Sequence, residues 1–122
     1  MADKIILTGF KVSGRHGCSE AERKHLQPFI VDTELYLDLT RAGKSDDLGD
    51  TIDYVSVLSD IKKIIGGTSR NLIETVAQDI ADLLLRRYML LDGVKITLRN
   101  PSPPVNEKFA GAAVEIFRSR QK

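Results

Sequence analysis

A chain of 122 residues, 42% hydrophobic and 29% charged, has the make-up of an ordinary soluble globular protein, with length for one core but not two, so residues 1–122 are expected to form a single domain. Its net charge of +1, without a long basic run, singles out neither nucleic acid nor an anionic membrane as a partner. No apolar stretch approaches the ~20 residues of a membrane span, and "MADKIILTGF" lacks a signal-peptide pattern. The lone cysteine, Cys18, precludes an internal disulfide and points to a reducing, cytoplasmic compartment. With only His16 and His25 beside it, no metal site is expected, and Cys18 reads as a structural bystander rather than a nucleophile.

Residues 4–13, "KIILTGFKVS", form an apolar, β-branched run that predicts a strand, with Gly9 at a bulge. "RHGCSEAERKHLQP" reads as a polar loop with one helical turn capped by Ser19. Residues 29–39, "FIVDTELYLDL", alternate cleanly: Phe29, Val31, Thr33, Leu35, Leu37 and Leu39 share one face, while Asp32, Glu34, Tyr36 and Asp38 share the other. "TRAGKSDDLGD" is expected to be loop. From Tyr54 to about Ile65, Val57, Leu58, Ile61 and Ile64 recur at helical spacing, with Thr51 or Asp53 as the cap and Gly66-Gly67 as the stop.

A second helix is expected from about Asn71 to Tyr88 on the stripe Ile73, Val76, Ala77, Ile80 and Leu84. Strands follow at 93–99 and about 110–118, separated by "NPSPPVNEKF", which its prolines keep out of regular structure. The order ββααββ predicts an α+β fold, a four-stranded antiparallel sheet with both helices on its apolar face. Carboxylates on strand 29–39 and Lys95 and Arg99 on strand 93–99 suit cross-strand pairing. Such a sheet ends in two free edges, and pairing them between subunits would close a barrel with a polar lining, so an oligomer is expected.

Four places carry candidate chemistry, each with a plainer reading. Glu22 stands three residues after Ser19, which suits a capping box as well as a site carboxylate. Tyr54 fits the apolar spacing of its helix, the pattern of a core tyrosine. In "RNLIETVAQDIA", Glu74 is either the third residue of a helix capped by Asn71 or a carboxylate facing a pocket. "RNPSPPV" is a rigid loop after a strand, compatible with a simple turn.

Together these places resemble the dihydroneopterin aldolase family over essentially the whole chain. The matching stretches are "DKIILTGFKVSGRHG", "FIVDTELYLDLTRAGKSDDLGDTIDY", "SRNLIETVAQDIA", "NPSPPV" and "AAVEIFR". The resemblance implies the tunnelling fold, with subunits joined edge to edge into rings and two tetrameric rings stacked into a homo-octamer. It implies retro-aldol cleavage of 7,8-dihydroneopterin to glycolaldehyde and 6-hydroxymethyl-7,8-dihydropterin in folate biosynthesis, with no metal or organic cofactor. It also implies roles for residues. Glu74 matches the pterin anchor, a carboxylate accepting two adjacent N–H donors. Leu72 and Ile73 match positions lining the ring, Tyr54 matches the tyrosine that assists proton transfer, and Glu22 matches a carboxylate near the hydroxylated tail.

The chain departs from the family's pattern at Asn100, where a lysine usually precedes the proline of "NPSPP", and "GQ" before the second strand becomes Leu26-Gln27. Asparagine cannot exchange a proton near neutral pH, and loss of general acid–base help slows chemistry by roughly 10²–10⁴-fold. Three readings follow: a cation from Arg99 or Lys108, Tyr54 acting with an ordered water, or a pterin pocket whose reaction is lost or changed. Strand alternation points Arg99 away from Asn100. An active or weakly active aldolase is the expectation, with a 2′-epimerase of dihydroneopterin or its triphosphate, or a non-catalytic pterin binder, as alternatives.

Overall fold

Period-two alternation decides the sheet. In the computed structural model, which describes residues 3–120, the first strand β1 is Lys4–Gly14 and the second, β2, is Gln27–Tyr36. Strands β3 (Gly93–Asn100) and β4 (Ala112–Ser119) complete one antiparallel sheet in the order β1-β2-β3-β4. Phe29, Val31 and Leu35 of β2 and Val94, Ile96 and Leu98 of β3 are fully buried on one face. Helices α3 (Tyr54–Ile65) and α4 (Ile73–Arg87) cover that face, α3 over β1 and α4 over β3 and β4. Their buried stripes, Val57, Ile61 and Ile65 on α3 and Val76, Ala77, Ile80, Ala81 and Leu84 on α4, close the core.

The expected bulge is present. Pairing runs Leu7↔Thr33 and resumes at Phe10↔Val31, so Thr8 and Gly9 together face Asp32. Gly9 sits at φ 72°, a conformation that suits glycine, and its N–H donates to Asp32 Oδ1 at 2.6 Å.

Three expectations need correction. Residues 40–50 are not plain loop: they form a short helix, α2 (Thr40–Ser45), and a 3₁₀ turn at Leu48–Asp50. The second strand starts two residues earlier than expected and ends at Tyr36, because Asp38 accepts from the Thr40 N–H at 2.8 Å and turns the chain into α2. The second long helix begins at Ile73, not Asn71. Of the two candidate caps for α3, Asp53 serves, accepting from the Val55 N–H at 3.0 Å.

The opposite sheet face is polar. Glu34 lies directly across from Lys95, yet the ion pairs run outward from the centre, Lys4 to Glu34 at 3.1 Å and Lys95 to Glu115 at 3.7 Å. Tyr36 also donates to Glu34, and this bond, followed by Lys4, holds the Glu34 carboxyl below its ordinary value. Strands β1 and β4 are the sheet's outer strands.

Antiparallel packing gives the domain two distinct ends. One gathers the last residues of β1 and β3, the first of β2 and β4, the C-terminus of α3 and the N-terminus of α4. The other holds the start of α3 and the end of α4. There the helices are tied by Asp60, buried on α3, which accepts from Arg87 at 2.5 Å and from the Tyr88 hydroxyl at 2.6 Å. The Tyr88 hydroxyl also meets Ser56 Oγ at 2.7 Å. Removing the cation leaves the buried Asp60 carboxylate with only the Tyr88 hydroxyl. Arg87→Met is therefore expected to lower stability by about 2–3 kcal/mol in chemical denaturation, less than the roughly 3–5 kcal/mol of a fully buried pair because Arg87 is half exposed and Tyr88 stays bonded.

Candidate active site

A buried imidazole organises the end of the domain where β1 and β3 finish. His16 is 1% exposed, with its ring edge toward Phe29. The Ile65 carbonyl, at the end of α3, can only accept, so Nε2–H donates to it at 2.7 Å. The Arg70 N–H can only donate, so Nδ1 accepts from it at 3.0 Å. Both bonds require the neutral Nε2–H tautomer. Burial pushes the His16 pKa down and the Arg70 charge adds to that, against opposing contributions from the Ile65 carbonyl and Asp79.

The segment after His16 lies along the approach to α4. Gly17 N–H donates to the Arg70 carbonyl at 2.9 Å, and the Cys18 thiol donates to the Asn71 carbonyl at 3.4 Å. Arg23 joins the two segments, its Nη1 donating to the Gly17 and Cys18 carbonyls and to Asn71 Oδ1. Helix α1 (Glu20–Lys24) follows, with the expected capping box: Ser19 donates from N and Oγ to Glu22 Oε1 at 3.2 and 3.0 Å, and the Glu22 N–H donates to Ser19 Oγ. Gly17, at φ 148°, makes room for this, since a Cβ there would lie 2.6 Å from both Cβ and Oε1 of Glu22.

At the start of α4 the capping reading of Glu74 fails. Leu72 occupies the cap position without a side-chain bond, and Asn71, one residue earlier, is turned to Arg23. Glu74 is therefore the second residue of the helix, exposed in its first turn, where the positive end of the helix dipole favours a carboxylate. Leu72 is 46% exposed, and Ile73 is half-buried against the core.

Asn100 closes this end from the sheet. It is 5% exposed, and its Nδ2 donates to Gln27 Oε1 at 3.1 Å while its Oδ1 accepts from the Ser102 N–H at 3.1 Å. Gln27 Nε2 in turn donates to the carbonyls of His16 (3.1 Å) and Glu22 (3.0 Å). Arg99 is exposed on the other face, as alternation requires.

Tyr54 does not join this group. It is the first residue of α3 and 53% exposed, so the core reading of its spacing is corrected. Its ring lines a groove of about 530 Å³ along β1 with Ile5, Leu7, Phe10 and Leu58. The twelve residues of α3 put about 18 Å of helix between Tyr54 and the His16 end. Within one chain, Glu22, Leu72, Ile73, Glu74 and Asn100 therefore share one end and Tyr54 lies at the other. Sequence reasoning overlooked Arg23 and the structural use of His16, and it noted Gln27 only within the altered "GQ" pattern, without a role.

A four-stranded antiparallel sheet with two long helices on one face defines an α+β domain. The family model for FolB, dihydroneopterin aldolase, matches residues 5–117. Dihydroneopterin aldolase 1 of Arabidopsis thaliana is 40% identical over 121 residues, 98% of this chain and 83% of that protein. The dihydroneopterin aldolase of Staphylococcus epidermidis is 37% identical over 118 residues, covering 97% of this chain and 98% of its own. The Escherichia coli dihydroneopterin aldolase, in a crystal structure with neopterin, superposes with a TM-score of 0.87 at 28% identity, over 96% of this chain and 99% of that one. The chain belongs to the dihydroneopterin aldolase family.

The His16 arrangement has a testable pH dependence. Its folded pKa lies below 6.5, so the folded state resists a proton that the unfolded chain accepts. That contribution is complete above pH 6.5 and is lost as pH falls through the lowered folded value. Denaturation curves of wild type and His16→Gln are expected to diverge least at acid pH and most above pH 6.5; a constant difference between them would contradict the neutral, doubly bonded ring.

Proposed function

We propose that this chain cleaves 7,8-dihydroneopterin by a retro-aldol reaction, releasing glycolaldehyde and 6-hydroxymethyl-7,8-dihydropterin, as a cytoplasmic enzyme of folate biosynthesis. Family membership carries the reading, and the exposed Glu74 carboxylate at the start of α4 supports it. A pterin presents an exocyclic amine beside a ring N–H, and Glu74 accepts both in a forked pair. Leu72 offers apolar surface and Ile73 its backbone along the ring edge. Glu22, held through one oxygen by Ser19, stands toward the trihydroxypropyl tail.

In the reaction the 2′-hydroxyl loses its proton, the C1′–C2′ bond breaks, and its electron pair moves into the ring system protonated at N5. Glycolaldehyde leaves as the C2′ oxygen becomes a carbonyl. Protonation of C1′ then gives the hydroxymethyl product. Tyr54, with an ordered water, passes these protons, since an amide at position 100 cannot. Turnover of purified protein is expected to yield glycolaldehyde, and Glu74→Gln is expected to weaken guanine binding by about tenfold or more, because it loses a charge-assisted acceptor. No glycolaldehyde from wild type would remove the aldolase reading, and equal guanine affinity would remove Glu74 as anchor.

The separation of Tyr54 from Glu74 supports a shared site in which Tyr54 comes from a neighbouring subunit. The outer strands β1 and β4 suit edge-to-edge pairing into a barrel, with the polar sheet face inward, in rings that stack as an octamer. Mixed oligomers refolded from Tyr54→Phe and Glu74→Gln chains are expected to recover activity at about a quarter of their sites, since random pairing reunites the two wild-type residues that often. Recovery to no more than the parents' activity would place both residues in one chain's site.

A further inference from the structure

The buried amides of Asn100 and Gln27 have orientations fixed by their neighbours. Gln27 Nε2 faces the carbonyls of His16 and Glu22, which can only accept, so Oε1 must face Asn100. The Ser102 N–H can only donate, so Asn100 presents Oδ1 to it and Nδ2 to Gln27. All four links are made between 3.0 and 3.1 Å, with Asn100 5% and Gln27 9% exposed. The carbonyls that Gln27 holds bracket residues 16–22, the segment that carries Glu22. A side chain so committed is a strut between the end of β3 and that segment.

We infer that Asn100 is a positioning residue, acting through Gln27 to hold the Glu22 segment against the substrate's hydroxylated tail, and takes no part in proton transfer. The inference rests on the aldolase reading above for its catalytic consequence, though not for the strut itself. A lysine at this position would keep a donor toward Gln27 but offer no acceptor to the Ser102 N–H, so the network belongs to the asparagine. Guanine separates the two parts of the site, because it carries the donor pair that Glu74 accepts and has no tail for Glu22 to meet.

The test compares Asn100→Ala, Gln27→Ala and the double variant. Each single change is expected to lower kcat for dihydroneopterin roughly tenfold to a hundredfold, as misplacement of a tail-orienting group does. Guanine Kd should stay within about twofold, and the double variant should lose little more than either single one, as for partners in one network. Amide exchange across residues 16–22 should accelerate in all three. Asn100→Lys should not raise kcat or add a new ionisation to its pH profile.

Several results would overturn the inference. They are a slow Asn100→Ala beside a normal Gln27→Ala, losses that multiply, guanine affinity falling in step with kcat, unchanged exchange over 16–22, or a rise in kcat with Asn100→Lys. Should Asn100→Ala fail to fold, Asn100→Asp replaces it, since it keeps the acceptor for Ser102 and sets an oxygen against Gln27 Oε1. A wild type without turnover counts against the aldolase reading alone, and exchange over 16–22 then decides the strut.

Discussion

Helix α3 is a rigid spacer, and its length constrains everything proposed about the site. Its first residue is Tyr54, and the carbonyl of its last, Ile65, anchors His16. A helix of twelve residues cannot shorten, and its buried stripe against the sheet prevents it from swinging. The phenol and the Glu74 carboxylate thus belong to opposite ends of the domain. For them to meet around one small bicyclic ring, the chain must be placed beside a copy of itself. Two outer strands at opposite edges of the sheet offer a means of doing so, and the apolar groove beside Tyr54 runs along one of them.

Around the other end, three segments distant in sequence are held by polar bonds rather than by apolar packing. His16 spans the α3 terminus and the approach to α4, Arg23 ties residues 17–18 to Asn71, and Gln27 ties the sheet to the Glu22 segment. Polar ties suit this place. Directional bonds fix a backbone path, which apolar contacts alone do not. Because His16 must be neutral to accept from Arg70, the same bonds that shape this end make it sensitive to acid.

Much of the architecture was legible because it follows from periodicity. The alternation of Phe29, Val31 and Leu35, the helical spacing from Tyr54 to Ile65 and the bulge at Gly9 each depend on local sterics and on one buried face. Pattern failed where partners lie far along the chain. Asn71 looks like a cap, yet its side chain is taken by Arg23, 48 positions away. Tyr54 completes an apolar stripe by spacing, but as the first helical residue it projects past the end of the core. Residues 40–50 lack a strong apolar period, so their short helix, which buries no residue, left no signal. The Asn100–Gln27 pair spans 73 positions and could not be read from either neighbourhood.

Asn100 also narrows where protons can travel in the proposed reaction. His16, the buried imidazole at this end, has both nitrogens committed, so it cannot relay a proton without dismantling the loop junction. Arg23 and Arg70 are engaged with loop carbonyls and Asp79. Glu22 is bound through one oxygen to the cap of α1, and Glu74 is assigned to the ring's donor pair. In the proposed reaction, proton movement at the 2′-hydroxyl and at N5 is assigned to the phenol of Tyr54 acting with water. If the phenol arrives from the neighbouring subunit, the chemistry is tied to assembly: a lone chain would retain the groups that grip the ring and lack the one that moves protons.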